Sequence, residues 1–414
     1  MSTVDYIRNT LDIKDENITF DEEVNYWRQT KHGRQLIYNG YLDYELGRCP
    51  NCGYRDWNKN GITTVMINVI PNLQYENVLK LKKQRYICRN CGTNVTCETE
   101  VNSSHPNLSK SLCDGIIYLA KKDISMNNIA DLLHISDNTV ARIIKERASK
   151  IHLNKDCLLP EHIAIDEFRS TKGNMSFIAI DAIKHTLIQI LPGRKIPEIK
   201  DSFLGYSLAN RQRVKTLSMD LNANYQQLRS VFPNAKIVVD RFHIIQMLGR
   251  AIDQERIAIQ RTLDPKSREY KLMKRNWKTY KKKLEDINWN EPIYRYRSHE
   301  YLTDAQILSA GFEQDGDLEM IWNLYQDVIK ALKNNDFTLF QDALNNCKTS
   351  NTRIQTIANT FKRNIKYIKN AIDNSELSNG PIEGIIRKIK QIKRTAYGYK
   401  NQLNFFIRIR LEFI

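Results

Sequence analysis

Between residues 161 and 240 the hydrophobic positions come in short dense runs, each closed by polar residues. "HIAIDEF", "MSFIAIDAIKH" and "TLIQILPG" are tightly spaced, which predicts an antiparallel meander. "VKTLSMD" and "AKIVVD" predict two further buried strands, with helices over 196–210 and "NANYQQLRSVFP" before each of them. Three of these runs stop at or near a carboxylate: Asp166, Asp220 and Asp240. Elsewhere the period becomes helical. Leu112, Ile116, Ile117 and Ala120 mark one helix, and Ile129, Leu132 and Leu133 a short one starting at Ser125. After the turn "HISD", Val140, Ile143 and Ile144 mark a third helix, capped by Ser136 or Asp137. A long stretch over 244–375 is mostly helical in pattern. Near the end, "SNGPIEGIIRKIK" sets Ile382, Ile385, Ile386, Ile389 and Ile392 on one side of a helix. There Gly380 is the expected N-cap, Pro381 the first helical residue and Glu383 the third, reaching back to the cap amide.

The front third carries strand-like runs, "GITTVMINVI" and "QYENVLKLKKQRYI", between two nearly identical knuckles, "RCPNCG" and "YICRNCG". Cys-x-x-Cys lets two thiolates of one turn reach the same tetrahedral ion, and the following glycine relieves the backbone where it folds over the sulfurs. Two such turns make a site of Cys49, Cys52, Cys88 and Cys91. With sulfur in all four positions the expected ion is a structural Zn²⁺. Cys97 lies outside the pattern and is read as core.

Composition narrows the partner. The 414 residues hold 63 Lys and Arg against 47 Asp and Glu, a formal charge of +16 that points to a polyanion. No apolar run reaches the roughly 20 residues that span a bilayer, and the acidic, polar start lacks a secretion signal. The expectation is therefore a cytoplasmic, nucleoid-associated protein that binds double-stranded DNA and no membrane. In the three-helix stretch, a turn between the last two helices reads as a helix-turn-helix whose third helix offers Asn138, Thr139, Arg142 and Lys145 to a major groove.

The strand and helix order of the middle region, β-β-β-α-β-α-β, is that of an RNase H-like fold, whose first and fourth strands lie side by side and parallel. That places Asp166 beside Asp220, and the fold's final helix would bring Glu383 to them. Cleaving a phosphodiester in line needs an activated nucleophile and a stabilised leaving oxygen. Two Mg²⁺ ions on a few carboxylates supply both, with Mn²⁺ able to substitute. Walker A, Gly-x-Ser-x-Gly and His-Glu-x-x-His patterns are absent, which leaves ATP-driven, serine-hydrolase and zinc-protease chemistry without support.

Taken together, "GYLDYELGRCPNCG", "AIDEF", "VVDRFH" and "NGPIEGIIRKIK" resemble the blocks of bacterial insertion-sequence transposases of the DDE class, ISL3 family, over essentially the whole chain. The resemblance implies Asp166 and Glu383 as the first and last catalytic carboxylates. Asp220 is the favoured second, with Asp240 the alternative, and Asp240 and His243 are accessory residues. Asp240 also suits an N-cap of the helix that follows, and Asp181 and Glu167 read as hairpin and surface residues. Arg387, Lys388, Lys390, Lys393 and Arg394 are expected to hold the DNA backbone.

The expected architecture is a multidomain α/β chain. It has a zinc-ribbon-like domain (1–104), a helix-turn-helix (105–155), the RNase H-like core (156–243), an all-α insertion (244–375) and the core's final helices (376–414). Trp277, Trp289 and Trp322 of the insertion are read as buried. The function implied is binding of terminal inverted repeats, Mg-dependent cleavage and transfer of the ends to target DNA by at least a homodimer. A DNA-binding regulator with a decayed nuclease, or a nuclease or resolvase on the same fold, are the alternatives.

Overall fold

The computed structural model describes residues 3–30, 33–102, 105–122, 124–150, 158–221, 224–377 and 379–413. The boundary expected between 155 and 156, and residue 104, lie outside them. Two compact units emerge, Met1–His152 with Arg387–Ile414, and Leu153–Ile386.

The first unit opens with the helix Thr3–Leu11, followed by a five-stranded sheet. Its strands are β1 (Ile18–Thr30), β2 (Gly33–Leu42), β3 (Trp57–Asn68), β4 (Glu76–Cys88) and β5 (Asn94–Thr96), in the order β1-β2-β4-β3 with β5 on β4. Alternate residues of β2 and β4 are buried, among them Leu36, Tyr38, Leu79 and Leu81, over a core that includes Leu11, Ile18 and Cys97. Cys97 is core, as its isolation from the knuckles suggests.

Three helices follow: Lys110–Ala120, Met126–Leu132 and Asp137–Lys150. Ser109 and Ser125 cap the first two by accepting from Leu112 N and Asn128 N. Ser136 Oγ accepts from Thr139 N at 3.2 Å, so it serves the third. Leu112, Ile116, Ile129, Val140, Ile143 and Ile144 form one core, and the C-terminal helix Gln402–Phe413 adds Ile407 and Leu411 to it. Arg408 of that helix also donates to the carbonyls of Lys122 and Ile124.

The second unit is built on a five-stranded sheet: β6 (His162–Arg169), β7 (Met175–Asp181), β8 (Leu187–Leu191), β9 (Thr216–Met219) and β10 (Lys236–Val239), in the order β10-β9-β6-β7-β8. β6, β7 and β8 are antiparallel neighbours, while β9 runs parallel to both β6 and β10. The runs are nearly unbroken in apolar character because most of their positions are buried.

Helices dominate the stretch from Arg241 to Asp373, but it is not all-α. "IYRYRSHEYL" contains a two-stranded hairpin, Ile293–Arg295 with Glu300–Leu302, where polar and aromatic residues alternate at the period of a strand. Nor is its core separate. Leu217 and Val239 of the sheet share one hydrophobic cluster with Ile244, Val328, Phe361 and Ile372. The Asn370 amide donates to Ile237 O at 2.8 Å, covering the edge strand β10. Trp322 is buried and Trp277 partly so, but Trp289 is exposed.

Asp304 ties the hairpin to the helices. Its side chain is fully buried between Lys282 Nζ at 2.6 Å and Arg295 Nη2 at 2.8 Å, and it accepts from Asn288 N at 2.9 Å. Burial alone would raise its pKa, but Lys282 and the other donors hold it below the ordinary value. Asp304→Ala takes the shared anion from Lys282 and Arg295, which stay in reach of water, and the acceptor from Asn288 N, and is expected to cost about 1–3 kcal/mol in urea unfolding. Because the folded pKa is depressed, this stabilisation is present above the unfolded value and disappears as pH falls through the folded one.

Candidate active site

The parallel pairing of β6, β9 and β10 places three carboxylates at one level. Ala164 stands opposite Ser218, so Asp166 and Asp220 each lie two residues further on. Val239 stands opposite Met219, which puts Asp240 level with Asp220, and Asp240 N donates to Met219 O at 2.9 Å. Side chains two apart on a strand share a face, so this register brings the carboxyl groups to the same end of the sheet.

Asp240 also caps the helix Arg241–Thr262, accepting from Phe242 N at 3.2 Å. One turn along, His243 Nε2 meets Asp220 Oδ1 at 2.9 Å and Asp240 Oδ2 at 3.8 Å. Ligand atoms of Asp220, Asp240 and His243 all lie within 4.8 Å of one another.

Asp166 lines a cavity of about 340 Å³ with Asp220, Glu167 and Arg194. Burial pushes its carboxyl up to about 7; the Glu167 amide opposes this, and the charge of Asp220 adds to it. Asp240 is raised for the same first reason, with Asp220 and Glu383 adding repulsion. His243 is raised by its hydrogen bond to Asp220. Carboxylates gathered in this way disfavour their own ionisation, and a bound cation would relieve it.

Glu383 lies on the helix Gly380–Thr395, and its charge is felt at Asp240. The cap differs from expectation. Glu383 N donates to Asn379 O at 3.0 Å, so the helix begins at Gly380 and Asn379 occupies the cap position. Glu383 is then fourth in the helix, beyond capping-box reach of the cap. Asn379, 1% exposed, directs its amide to Asp220 Oδ1 at 3.5 Å.

Two further expectations concerned neighbouring acids. Asp181 is a hairpin residue, accepting from Ile183 N and Lys184 N at 2.8 and 2.9 Å. Glu167 is not a surface residue: it receives Arg194 Nη1 at 2.6 Å and the Tyr225 hydroxyl at 2.8 Å.

In the first unit the four knuckle cysteines converge, with all sulfurs within 4.8 Å of one another. Cys49–Cys91 and Cys52–Cys88 are each 3.6 Å apart. A tetrahedral Zn²⁺ with ligands at about 2.3 Å has sulfur–sulfur edges of about 3.8 Å, so the cluster fits that ion and is far too open for disulfides. The Thr93 hydroxyl and amide lower the Cys91 thiol to about 6, favouring the thiolate a metal needs.

The sequence pattern of a family described as "Transposase", of the DDE class and ISL3 type, matches residues 163–409, which include Asp166, Asp220, Asp240 and Glu383. The chain belongs to the ISL3 family of DDE transposases. A second pattern, "zinc-finger of transposase IS204/IS1001/IS1096/IS1165", matches residues 45–91 of this transposase and ends on the last knuckle cysteine. The "Transposase for insertion sequence element IS1001" of Bordetella parapertussis is 24% identical over 372 residues, covering 88% of each chain. A Lactococcus lactis protein named "ATP-dependent protease" is 35% identical over 125 residues, 30% of this transposase and 40% of that protein. This transposase has no Gly-Lys pair with which to form a Walker A loop.

Among the other expected residues, Asn138, Arg142 and Lys145 are exposed on the helix Asp137–Lys150, and Thr139 is half-buried at its start. Arg142 Nη1 contacts His105 Nδ1 at 3.0 Å and Glu146 Oε1 at 3.3 Å. Arg387, Lys390 and Arg394 are exposed, while Lys388 and Lys393 are half-buried and Lys388 pairs with Glu412 at 3.3 Å. Among the described residues no helix is long and apolar enough to cross a membrane.

Proposed function

We propose that this transposase binds the terminal inverted repeats of its insertion sequence, cuts there, and joins the freed 3′ ends to target DNA. The carrying observation is the convergence of Asp166, Asp220 and Asp240 at one sheet end, with Asn379, at the head of the Glu383 helix, directing its amide to Asp220 at 3.5 Å. The domain with these carboxylates is RNase H-like, interrupted by the largely helical stretch. Asp166, Asp220 and Glu383 are the ligands for Mg²⁺ or Mn²⁺, an oxygen donor set such ions prefer. Two such ions, when bound, activate the attacking oxygen and stabilise the leaving one.

The chain's own groups do the positioning. His243 holds Asp220 by its 2.9 Å contact, and Asp240 fixes the first turn of the helix that carries His243. Asn379 ties the start of the Glu383 helix to Asp220.

In the first unit, the helices Met126–Leu132 and Asp137–Lys150 form a helix-turn-helix. Asn138, Thr139, Arg142 and Lys145 face a major groove, with Arg142 exchanging His105 and Glu146 for DNA. Arg387, Lys388, Lys390, Lys393 and Arg394 hold backbone phosphates. Cutting two ends together requires at least two protomers. A single protomer that cuts both ends in one complex would overturn that part.

DNA carrying the sequences that flank the gene tests the whole reading. Nicking at the element ends is expected with Mg²⁺ or Mn²⁺ and not with EDTA. Specific binding without nicking under any of these conditions would make the protein a regulator instead.

A further inference from the structure

The loop after β8 brings Arg194 to the rim of the carboxylate cavity, where Asp166, Asp220 and Arg194 line the same walls. A second cavity of about 480 Å³ continues past Arg194 to Lys195 and Asn224, and the two share Glu167, Arg194 and Tyr225. Arg194 therefore stands where the cleft leaves the acidic site.

Its support is asymmetric. The Glu167 side chain is 15% exposed and that of Arg194 58%. Glu167 accepts from Tyr225 on one oxygen and from Arg194 on the other. A guanidinium carries five N–H donors in a rigid fork. Glu167 engages Nη1, and the exposure of the rest keeps it within reach of a ligand. Tyr225 is buried and its hydroxyl takes one Glu167 oxygen, which leaves the other to hold Arg194 while most of the guanidinium side chain stays in solvent.

A DNA strand reaching Asp166 and Asp220 brings its own negative charge into an acidic cavity. Among the described residues lining that cavity Arg194 is the cation, and a planar guanidinium suits the bidentate recognition of a phosphate. We propose that Arg194 binds a phosphodiester within two linkages of the scissile one, so that the cleft from Asp166 past Arg194 to Lys195 carries the strand being cut. The assignment rests on the strand-cleavage reading of the site.

Single neutral methylphosphonates, placed at each of the two linkages on either side of the cut, test it without disturbing the protein. One position is expected to slow wild-type nicking by about tenfold or more, the scale of one charge-assisted hydrogen bond. That same substitution should cost Arg194→Gln nothing further, and Arg194→Lys should keep part of the sensitivity through its point charge. Wild type and Arg194→Gln losing equally at every position would overturn the assignment while leaving cleavage intact. Failure of wild type to nick the unmodified ends would overturn the cleavage reading, and this assignment with it.

Discussion

Asp166→Asn, Asp220→Asn and Glu383→Gln are each expected to lower metal-dependent nicking of element ends by about 10³-fold or more, with binding of the ends retained. The magnitude follows from chemistry. A metal-supported displacement draws several kcal/mol of transition-state stabilisation from its ion site, and each 1.36 kcal/mol is tenfold in rate. Replacing one proposed ligand by an amide would weaken both the attraction for a cation and its orientation. Binding should persist because the groups proposed to read DNA lie on the helix Asp137–Lys150 and belong to a different unit of the chain.

The comparison that decides most is Asp220→Asn against Asp240→Asn. Asp220 sits beside Asp166 on the parallel neighbour of β6, and its charge raises Asp166. Asp240 is more buried, is one strand further away and already caps a helix. Asp240→Asn keeps an acceptor for that cap, so the expected loss is about 10- to 100-fold, the scale of a supporting residue. His243→Asn belongs in the same range, since it releases Asp220 without removing a proposed ligand. A loss with Asp240→Asn that matches Asp166→Asn, paired with a mild Asp220→Asn, would transfer the second ligand role to Asp240.

The parts of this site that could be read from sequence are those set by local periodicity. Asp166, Asp220 and Asp240 each follow an apolar run of strand length, and register then makes them neighbours. The knuckles were equally legible, because ligand spacing within one turn is a local property. What escaped depends on distant partners. Glu167 looks like any polar residue at a strand's end until Arg194 and Tyr225, 27 and 58 residues away, close on it. Asn379 carried no sign of its role because its partner Asp220 is 159 residues distant. The cap itself was misplaced by one residue: glycine and asparagine are both good caps, and Pro381 fits either of the first two helical positions. Nothing in the pattern of the helix Gln402–Phe413 names the three-helix core that its Ile407 and Leu411 join.

Zinc loss is the second large effect expected, and it should be confined to the first unit. Cys49 and Cys52 precede β3, Cys88 ends β4, and Cys91 leads into β5, so the cluster joins three strands at one end of the sheet. Trp57 pairs with Cys88 in register, and β4 is hydrogen-bonded to β2, β3 and β5. Binding of structural zinc is worth on the order of 10 kcal/mol in small domains at neutral pH, and it appears as folding free energy. Cys88→Ser should therefore abolish stoichiometric zinc, lower the first thermal transition and eliminate end binding. A strong chelator should do the same to wild type, reversibly. The carboxylate sheet has its own core, running from Ile163 and Phe177 to Ile372, and contains none of the four ligands. Its unfolding transition should stay where it is in wild type. Cys88→Ser protein that melts like wild type and still carries zinc would show that this cluster is not the structural centre of the sheet.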